Sequence, residues 1–118
     1  MGLKNYKDQI KAINQLLSSD DRPTAIVVCD DILAFTLEDI CEELKLSIPK
    51  DIAIVSFNNS LIAKLATPKL TSIDVNSYQL GIEAASQMIN HIENPNLMAT
   101  KIIVPHHLVV RESSSLDR

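Results

Sequence analysis

Two short apolar runs without polar alternation, "TAIVVC" at 24–29 and "IAIVSF" at 52–57, dominate the hydrophobic pattern of the chain. Runs of this kind are typical of strands covered on both faces, and therefore of central strands in a parallel sheet. Between them, apolar side chains recur with the spacing of one helical face. The loop "KLSIPKD" ends that helix, because Pro49 cannot continue it. Strand, helix and strand in this order predict a βαβ unit.

Helical spacing also precedes the first run. Ile10, Ile13 and Leu17 fall on one face of an amphipathic helix over Tyr6–Leu17. Downstream, Asn76 with Gln79 three residues later resembles a capping box at the start of another helix. The other predicted segments are two helical turns at 60–66, short strands at 70–75, 101–105 and 107–111, and a polar tail at 112–118 that is expected to fray. The predicted class is α/β, a parallel sheet flanked by helices.

Length and charge narrow the function classes. The 118 residues make one domain or part of one, and 46% apolar residues are enough for a core. The net charge of −4 argues against a nucleic-acid surface, which requires clustered Lys and Arg. No apolar run approaches the roughly 20 residues of a membrane span. Residues 1–11 do not resemble a signal peptide, so a cytoplasmic location is expected.

Polar side chains follow both predicted strands directly. Asp30 and Asp31 come after the first apolar run, and Asn58 and Asn59 come after the second. Ligands of open α/β sheets bind outside the carboxyl ends of the strands, so these four side chains are expected to face one crevice. Carboxylates and amides together suit a hydroxyl-rich ligand such as a sugar. In the alternative interpretation, Asp31 caps the following helix and Asn59 makes a turn.

Phosphoryl transfer is the main competing use for an acidic pair at a strand end. A response-regulator receiver has such a pair, but it also needs an aspartate at the end of a later strand. Asn58 stands at that place, and its amide cannot form an aspartyl phosphate. The lysine that would close the last strand is missing too, since Arg111 occupies the end of "VVR". A phosphoacceptor site is therefore not predicted.

Other catalytic and metal chemistry lacks essential residues. His106 and His107 are adjacent and would point to opposite faces of a strand, so they cannot share one ion. Cys29 has no basic neighbour that would lower its pKa. With Gly2 and Gly81 as the only glycines, a glycine-rich phosphate loop is excluded. We expect no metal, no cofactor and no enzymatic activity.

Phe35 lies off the apolar face of the predicted helix that follows the first strand. Together with Ile32 it makes a small apolar stripe, which indicates either a subunit contact or a second core face.

Four ordered segments carry a resemblance that covers nearly the whole chain. From Pro23 onward, "PTAIVVCDD", "IPKDIAIVSFNN", "TPKLTSID" and "LVVRESS" resemble the carboxyl-terminal half of the LacI/GalR family of bacterial transcription repressors. Within that family, "SFNN" with "LTSIDVNSYQLG" looks most similar to the maltose-operon repressors. The resemblance implies a lobe of the periplasmic-binding-protein type I fold. Residues 1–118 would be the carboxyl-terminal part of an effector-binding and dimerisation domain, with 76–98 belonging to a missing first lobe.

The same resemblance implies roles for individual residues. Asp30 and Asn58 correspond to effector contacts, with Asp31 and Asn59 beside them and Ser77 near a further pocket position. The implied dimer interface contains Ile32, Phe35, Leu65 and Ala66.

The implied partners are a maltose-type saccharide, a second copy of the chain, and operator DNA bound through a domain missing from this chain, with no membrane. The chain departs from the family pattern because Asn58 and Asn59 stand where two aspartates are common and Asp30 replaces a common asparagine. Compared with the common family arrangement, the carboxylate acceptor and the amide donor are thus exchanged between the ends of the two strands. The alternative function is a periplasmic-type sugar-binding protein with no role at DNA.

Overall fold

Four strands form one open sheet in the computed structural model, which describes residues 5–116 of the chain. Helices connect the first strands, as the predicted βαβ unit requires. The elements in chain order are α1 (Tyr6–Ser18), β1 (Ala25–Val27), α2 (Asp31–Glu43), β2 (Ala53–Phe57), α3 (Leu61–Leu65), β3 (Thr71–Asp74), α4 (Ser77–Glu93), β4 (His107–Val109) and a 3-10 helix (Glu112–Ser114).

The sheet is mostly parallel. Its order is β1-β2-β3-β4, with β1, β2 and β3 parallel to their neighbours and β4 antiparallel to β3. The α/β prediction is confirmed, but the central position predicted for the first strand is wrong. In the described residues β1 pairs only with β2, and Val27 is 69% exposed. An uninterrupted apolar run does not reveal on which side a strand is paired, and here the run lies at an edge.

The core lies between one face of the sheet and the helices α1, α2 and α3. Along β2, Ile54 and Ser56 are buried, while the alternate residues are half-buried. Leu37 of α2 packs into the same cluster and has no exposed surface. The buried apolar residues are Leu17, Val28, Ala34, Leu37, Ile40, Cys41, Ile52, Ile54, Ala63, Ala66 and Leu70.

Helix α4 stands apart from this core. It has no buried residue, although it carries the apolar side chains of Leu80, Met88 and Ile92. The radius of gyration of the chain is 18.4 Å, against roughly 13–14 Å for a compact chain of this length. Residues 77–93 therefore present an apolar surface that the described part of the chain leaves uncovered. Across residues 5–116, no helix is both long and apolar enough to cross a membrane.

Two local predictions around α4 are wrong. The side chain of Asn76 does not cap the helix, because this residue adopts a left-handed conformation with φ 57°. Its backbone N–H donates instead to Asp74 Oδ1 at 2.8 Å. Residues 101–105, predicted as a strand, form no regular structure, and the sheet continues only at β4.

The expected fraying of the polar tail is also wrong for its first residues. Ser113 is fully buried, and its hydroxyl donates to the Ile54 carbonyl at 2.6 Å while accepting from the Thr71 N–H at 2.8 Å. These bonds attach the 3-10 helix to β2 and β3. Residues 117–118 of the predicted tail lie outside the described residues.

Candidate functional site

The carboxyl ends of β1 and β2 form one edge of a shallow depression. Because the two strands are parallel neighbours, Asp30, Asp31 and Asn58 line this depression together, as expected from the sequence. Its volume is about 390 Å³, and its other lining residues are Ile32, Ser60, Leu61 and Ile62. Ser77, at the start of α4, is exposed and does not line it.

Asp31 is the buried anchor of this edge, with 1% of its surface exposed. Its Oδ1 accepts from the hydroxyls of Ser56 and Ser72, the latter at 2.8 Å. Its Oδ2 accepts from the backbone N–H of Ser60 at 2.6 Å. One carboxylate thus connects β2, β3 and the loop that follows β2.

These hydrogen bonds decide the charge of Asp31. Burial alone raises the pKa of the carboxyl group, but the bonds from Ser56, Ser60 and Ser72 outweigh burial, and the pKa lies below its usual value. Asp31 is therefore ionised at neutral pH, with both oxygens engaged.

Asp30 caps α2, so the capping role that the sequence suggested for Asp31 belongs to its neighbour. Asp30 keeps an extended backbone, with φ −157°, and its Oδ1 accepts from the Leu33 N–H at 2.7 Å. Asp31 is already the first helical residue, so its side chain cannot occupy the cap position. Within residues 5–116, the second oxygen of Asp30 meets only the Cys29 thiol, at 3.9 Å, and the partly exposed Asp30 lines the depression.

Asn58 and Asn59 bend the chain away from β2. Both have positive φ angles, 98° and 47°, which asparagine tolerates better than most residues. The Asn58 N–H donates to the Ile73 carbonyl at 2.9 Å, and its side chain is exposed at the depression. Asn58 can therefore meet a ligand without giving up a bond inside the chain.

Asn59 is held on three sides by hydrogen bonds to residues distant in the sequence. Its N–H donates to Ser72 Oγ at 2.9 Å, and its Nδ2 donates to Asp74 Oδ2 at 2.9 Å. Its Oδ1 accepts from Arg111 Nη2 at 2.6 Å. The bonds from Asn59 and from the Asn76 N–H lower the pKa of Asp74. Asn59 supports the loop rather than facing the depression.

The supporting residues Ser56, Ser72, Asp74 and Arg111 were not predicted from the sequence. One signal was available for Ser56, because it interrupts the otherwise apolar run of β2. A hydroxyl at a core position needs a hydrogen-bond partner, and Asp31 supplies it.

The residues of the implied dimer interface divide between surface and core. Ile32, Phe35 and Leu65 are exposed, whereas Ala66 is 4% exposed and belongs to the core. Phe35, Ile62 and Leu65 border a small apolar depression of about 260 Å³. We call these three residues the apolar patch. Phe35 is 45% exposed, so it does not belong to a second buried core face within the described residues.

A second acidic group, also missed from the sequence, lies beside the apolar patch. Glu38 is 5% exposed, and neither of its carboxylate oxygens has a hydrogen-bond partner within residues 5–116. Burial, and secondly the charge of Asp39, raise the pKa of Glu38 to about 7. Burial and Glu38 in turn raise the pKa of Cys41 to about 11.

Residues 2–114 match the family of periplasmic binding protein-like domains, and the chain belongs to this family. The fold predicted from the sequence is thereby confirmed.

The curated relatives of the chain are transcriptional regulators. It is 36% identical over 103 residues to the transcriptional repressor PurR of Proteus mirabilis, a match covering 87% of this chain and 30% of PurR. It is 33% identical over 93 residues to the transcriptional regulator MalR of Staphylococcus xylosus, covering 79% of this chain and 28% of MalR. The chain therefore spans about a third of their length. Identity to PurR is as high as identity to MalR, so similarity alone does not select a maltose regulator.

Solved structures of LacI-type regulators share the fold. A transcriptional regulator LacI from Bacillus cereus subsp. cytotoxis NVH 391-98 superposes with a TM-score of 0.87 at 36% identity, over 95% of this chain and 40% of that one. A LacI family regulator from Enterococcus faecium with bound ribose gives 0.80 at 28% identity, over 92% of this chain and 40% of that one. The resemblance to LacI/GalR regulators that the sequence motifs suggested is thus supported independently.

Proposed function

We propose that this chain is the sugar-sensing and dimerising part of a LacI-type transcriptional repressor, and that its effector is a maltose-type saccharide. The observation that carries the proposal is that neighbouring polar side chains at the carboxyl edge of the sheet have different roles. Asp31 and Asn59 are engaged inside the chain, while Asp30 and Asn58 offer polar atoms at one depression. The ribose bound to the Enterococcus faecium regulator supports a sugar as the class of ligand.

The chemistry of the depression suits a pyranose. The free oxygen of Asp30 accepts a hydrogen bond from a sugar hydroxyl, and the Asn58 amide both donates and accepts. Ile32, Leu61 and Ile62 supply apolar walls for the C–H faces of the ring. A carboxylate from the first strand and an amide from the second are the reverse of the common family arrangement. In the proposed complex, the sugar hydroxyl that donates to the carboxylate therefore lies nearer β1.

The remainder of the cleft is proposed to come from a first lobe. Helix α4 leaves its apolar side chains uncovered, and residues 76–98 are proposed to pack into that lobe. Ser77, exposed at the start of α4, would then lie at the rim of the cleft. Operator DNA is bound through a separate domain of the whole protein.

Regulation follows as a shift between two lobe arrangements. A saccharide that contacts both lobes binds one arrangement more tightly, and the population shifts toward it. The factor by which the sugar changes operator affinity equals the factor by which the operator changes sugar affinity, and it cannot exceed the ratio of sugar affinities of the two states.

Removal of the free Asp30 oxygen is expected to weaken saccharide binding by about tenfold or more, which corresponds to one lost hydrogen bond to a charged group. Removal of the neutral Asn58 amide is expected to weaken it by about threefold to tenfold. Asp30→Ser retains a capping oxygen, and Asn58→Gly suits the positive φ angle, so both variants are expected to fold. Calorimetric titration of the full-length protein with maltose, maltotriose, cellobiose and ribose measures the effect. Asp20→Ser, in the exposed loop after α1, is the matched control.

Operator affinity without sugar is expected to stay unchanged in these variants. Sugar affinity equal to wild type in both Asp30→Ser and Asn58→Gly would exclude this edge as the effector site. Tighter binding of another saccharide than of maltose or maltotriose would retain the site and change the effector.

A charge in the apolar patch is expected to weaken the homodimer. Phe35→Glu places a carboxylate where an apolar contact is proposed, and we expect the dimer Kd to rise at least tenfold by sedimentation velocity. Leu16→Glu on α1 is the control, because Leu16 is 46% exposed, nearly the same as Phe35. An equal effect of both substitutions, or no effect of Phe35→Glu, would place the dimer contact elsewhere.

A further inference from the structure

Glu38 is the least compensated polar group in the described part of the chain. Both of its oxygens are buried without a donor, whereas the other buried carboxylate, Asp31, accepts three hydrogen bonds. A buried carboxylate without a partner is costly when charged, so it is neutralised by a proton or needs a cation. Function is a common reason for a protein to keep such a group.

Within residues 5–116, the surroundings of Glu38 offer no compensating charge. It lines a cavity of about 470 Å³ together with two further carboxylates of α2, Asp39 and Glu42. Its other titratable neighbour is the Cys41 thiol. The remaining lining residues come from α2, α3 and the loops and carry no charge; they are Phe35, Leu46, Ile48, Leu65, Thr67 and Pro68. The basic residue of α3, Lys64, lowers the pKa of Asp74 instead.

A metal ion does not fit this cavity as its neutralising group. Among the described residues, no set of three or more His, Cys, Asp or Glu side chains has a geometry suited to a metal. The proton is then the simplest species that removes the charge of Glu38.

The acidic cavity adjoins the apolar patch. Phe35 and Leu65 line both the cavity and the small apolar depression that defines the patch. A second copy that covers these two side chains also covers part of the cavity wall and reduces the access of water to Glu38. Reduced access of water raises the cost of a charge on Glu38 and leaves the cost of a neutral carboxyl group nearly unchanged.

We propose that dimerisation through the apolar patch takes up a proton at Glu38, so that the dimer tightens as the pH falls. This inference rests on the dimer of the proposed function. Its direction follows from linkage: the dimer binds more protons than two free protomers, so a rise in pH favours the protomers. Since burial already raises the pKa of Glu38 to about 7, the effect is expected at and above neutral pH and to level off below pH 6.

The test is the dimer Kd of the full-length protein at pH 6, 7 and 8, measured by sedimentation velocity at constant ionic strength. For the wild type we expect Kd to rise at least tenfold from pH 6 to pH 8. For Glu38→Gln we expect one Kd at all three pH values, close to that of the wild type at pH 6. Glu42→Gln, which removes an exposed carboxylate of the same cavity, is expected to keep the pH dependence.

A wild-type Kd that does not change with pH, or a Glu38→Gln protein that keeps the wild-type slope, would overturn this inference while the proposed dimer stands. Absence of a dimer at every pH in both proteins would overturn the proposed dimer as well. Glu38→Met provides a second neutral side chain, and circular dichroism checks that each variant is folded.

Discussion

Replacement of Asp31 by alanine is expected to lower the free energy of unfolding by about 3–5 kcal/mol, because each buried donor left without an acceptor costs roughly 1–3 kcal/mol. The donors concerned are the hydroxyls of Ser56 and Ser72 and the N–H of Ser60. Urea denaturation at pH 7 measures the loss. The neighbouring Asp30→Asn is the control, since asparagine caps a helix as well as aspartate does.

The Asp31 contribution should also depend on pH. Its pKa is depressed in the folded protein, so its stabilising effect is fully present above the unfolded pKa and is lost as the pH falls through the folded value. The difference between wild type and Asp31→Ala should therefore shrink in acid, below about pH 4. A loss below 1 kcal/mol at pH 7 would show that the serine network reorganises around the missing carboxylate.

Replacement of Glu38 by methionine is expected to stabilise the protein by about 2 kcal/mol at pH 8, opposite to the usual effect of a core substitution. Burial raises the pKa of Glu38 from 4.5 to about 7, so the folded state binds the proton more tightly than the unfolded state. The folded protein consequently loses stability as the pH rises from about 4.5 through about 7. Methionine removes the charge and keeps a similar volume.

Two measurements distinguish stabilisation by removal of the Glu38 charge from stabilisation by better packing of methionine. Denaturation at pH 5 should show little difference between wild type and Glu38→Met, because Glu38 is largely neutral there. Glu43→Gln, at an exposed position at the end of the same helix, should change the free energy of unfolding by no more than about 0.5 kcal/mol at either pH. Equal stabilisation at both pH values would mean that packing, not charge, is the cause.

Helix α1 and the helix and strands of the βαβ unit could be predicted because their signals are local. Spacing of Ile10, Ile13 and Leu17 predicts α1, and Pro49 marks the loop before β2. The edge position of β1 could not be predicted, since the partner of a strand is a property of the whole sheet. The anchoring of Ser113 escaped prediction for the same reason, because its partner Ile54 lies 59 residues away.

The candidate site was predicted in composition but not in detail. Parallel strands bring Asp30 and Asn58 to one edge of the sheet irrespective of the loop conformations. The roles of Asp30 and Asp31 depend on one residue of helix register, and polar pattern alone cannot fix that register. Glu38 was not identified from the sequence, because side chains that line its cavity, including Leu65 and Pro68, lie outside its own helix.

Asp31 and Asn59 stabilise the fold, whereas Asp30 and Asn58 are proposed to contact the ligand, and this difference has a consequence for evolution. Position 30 must cap a helix, which Asp, Asn, Ser and Thr all do well, and these four differ in the charge and hydrogen-bonding atoms they present. Position 58 is exposed, and within the described residues only its backbone makes a hydrogen bond to the rest of the fold. On the proposed function, descendants of such a protein can change their preferred sugar at these two positions. The network around Asp31 meanwhile keeps the lobe intact.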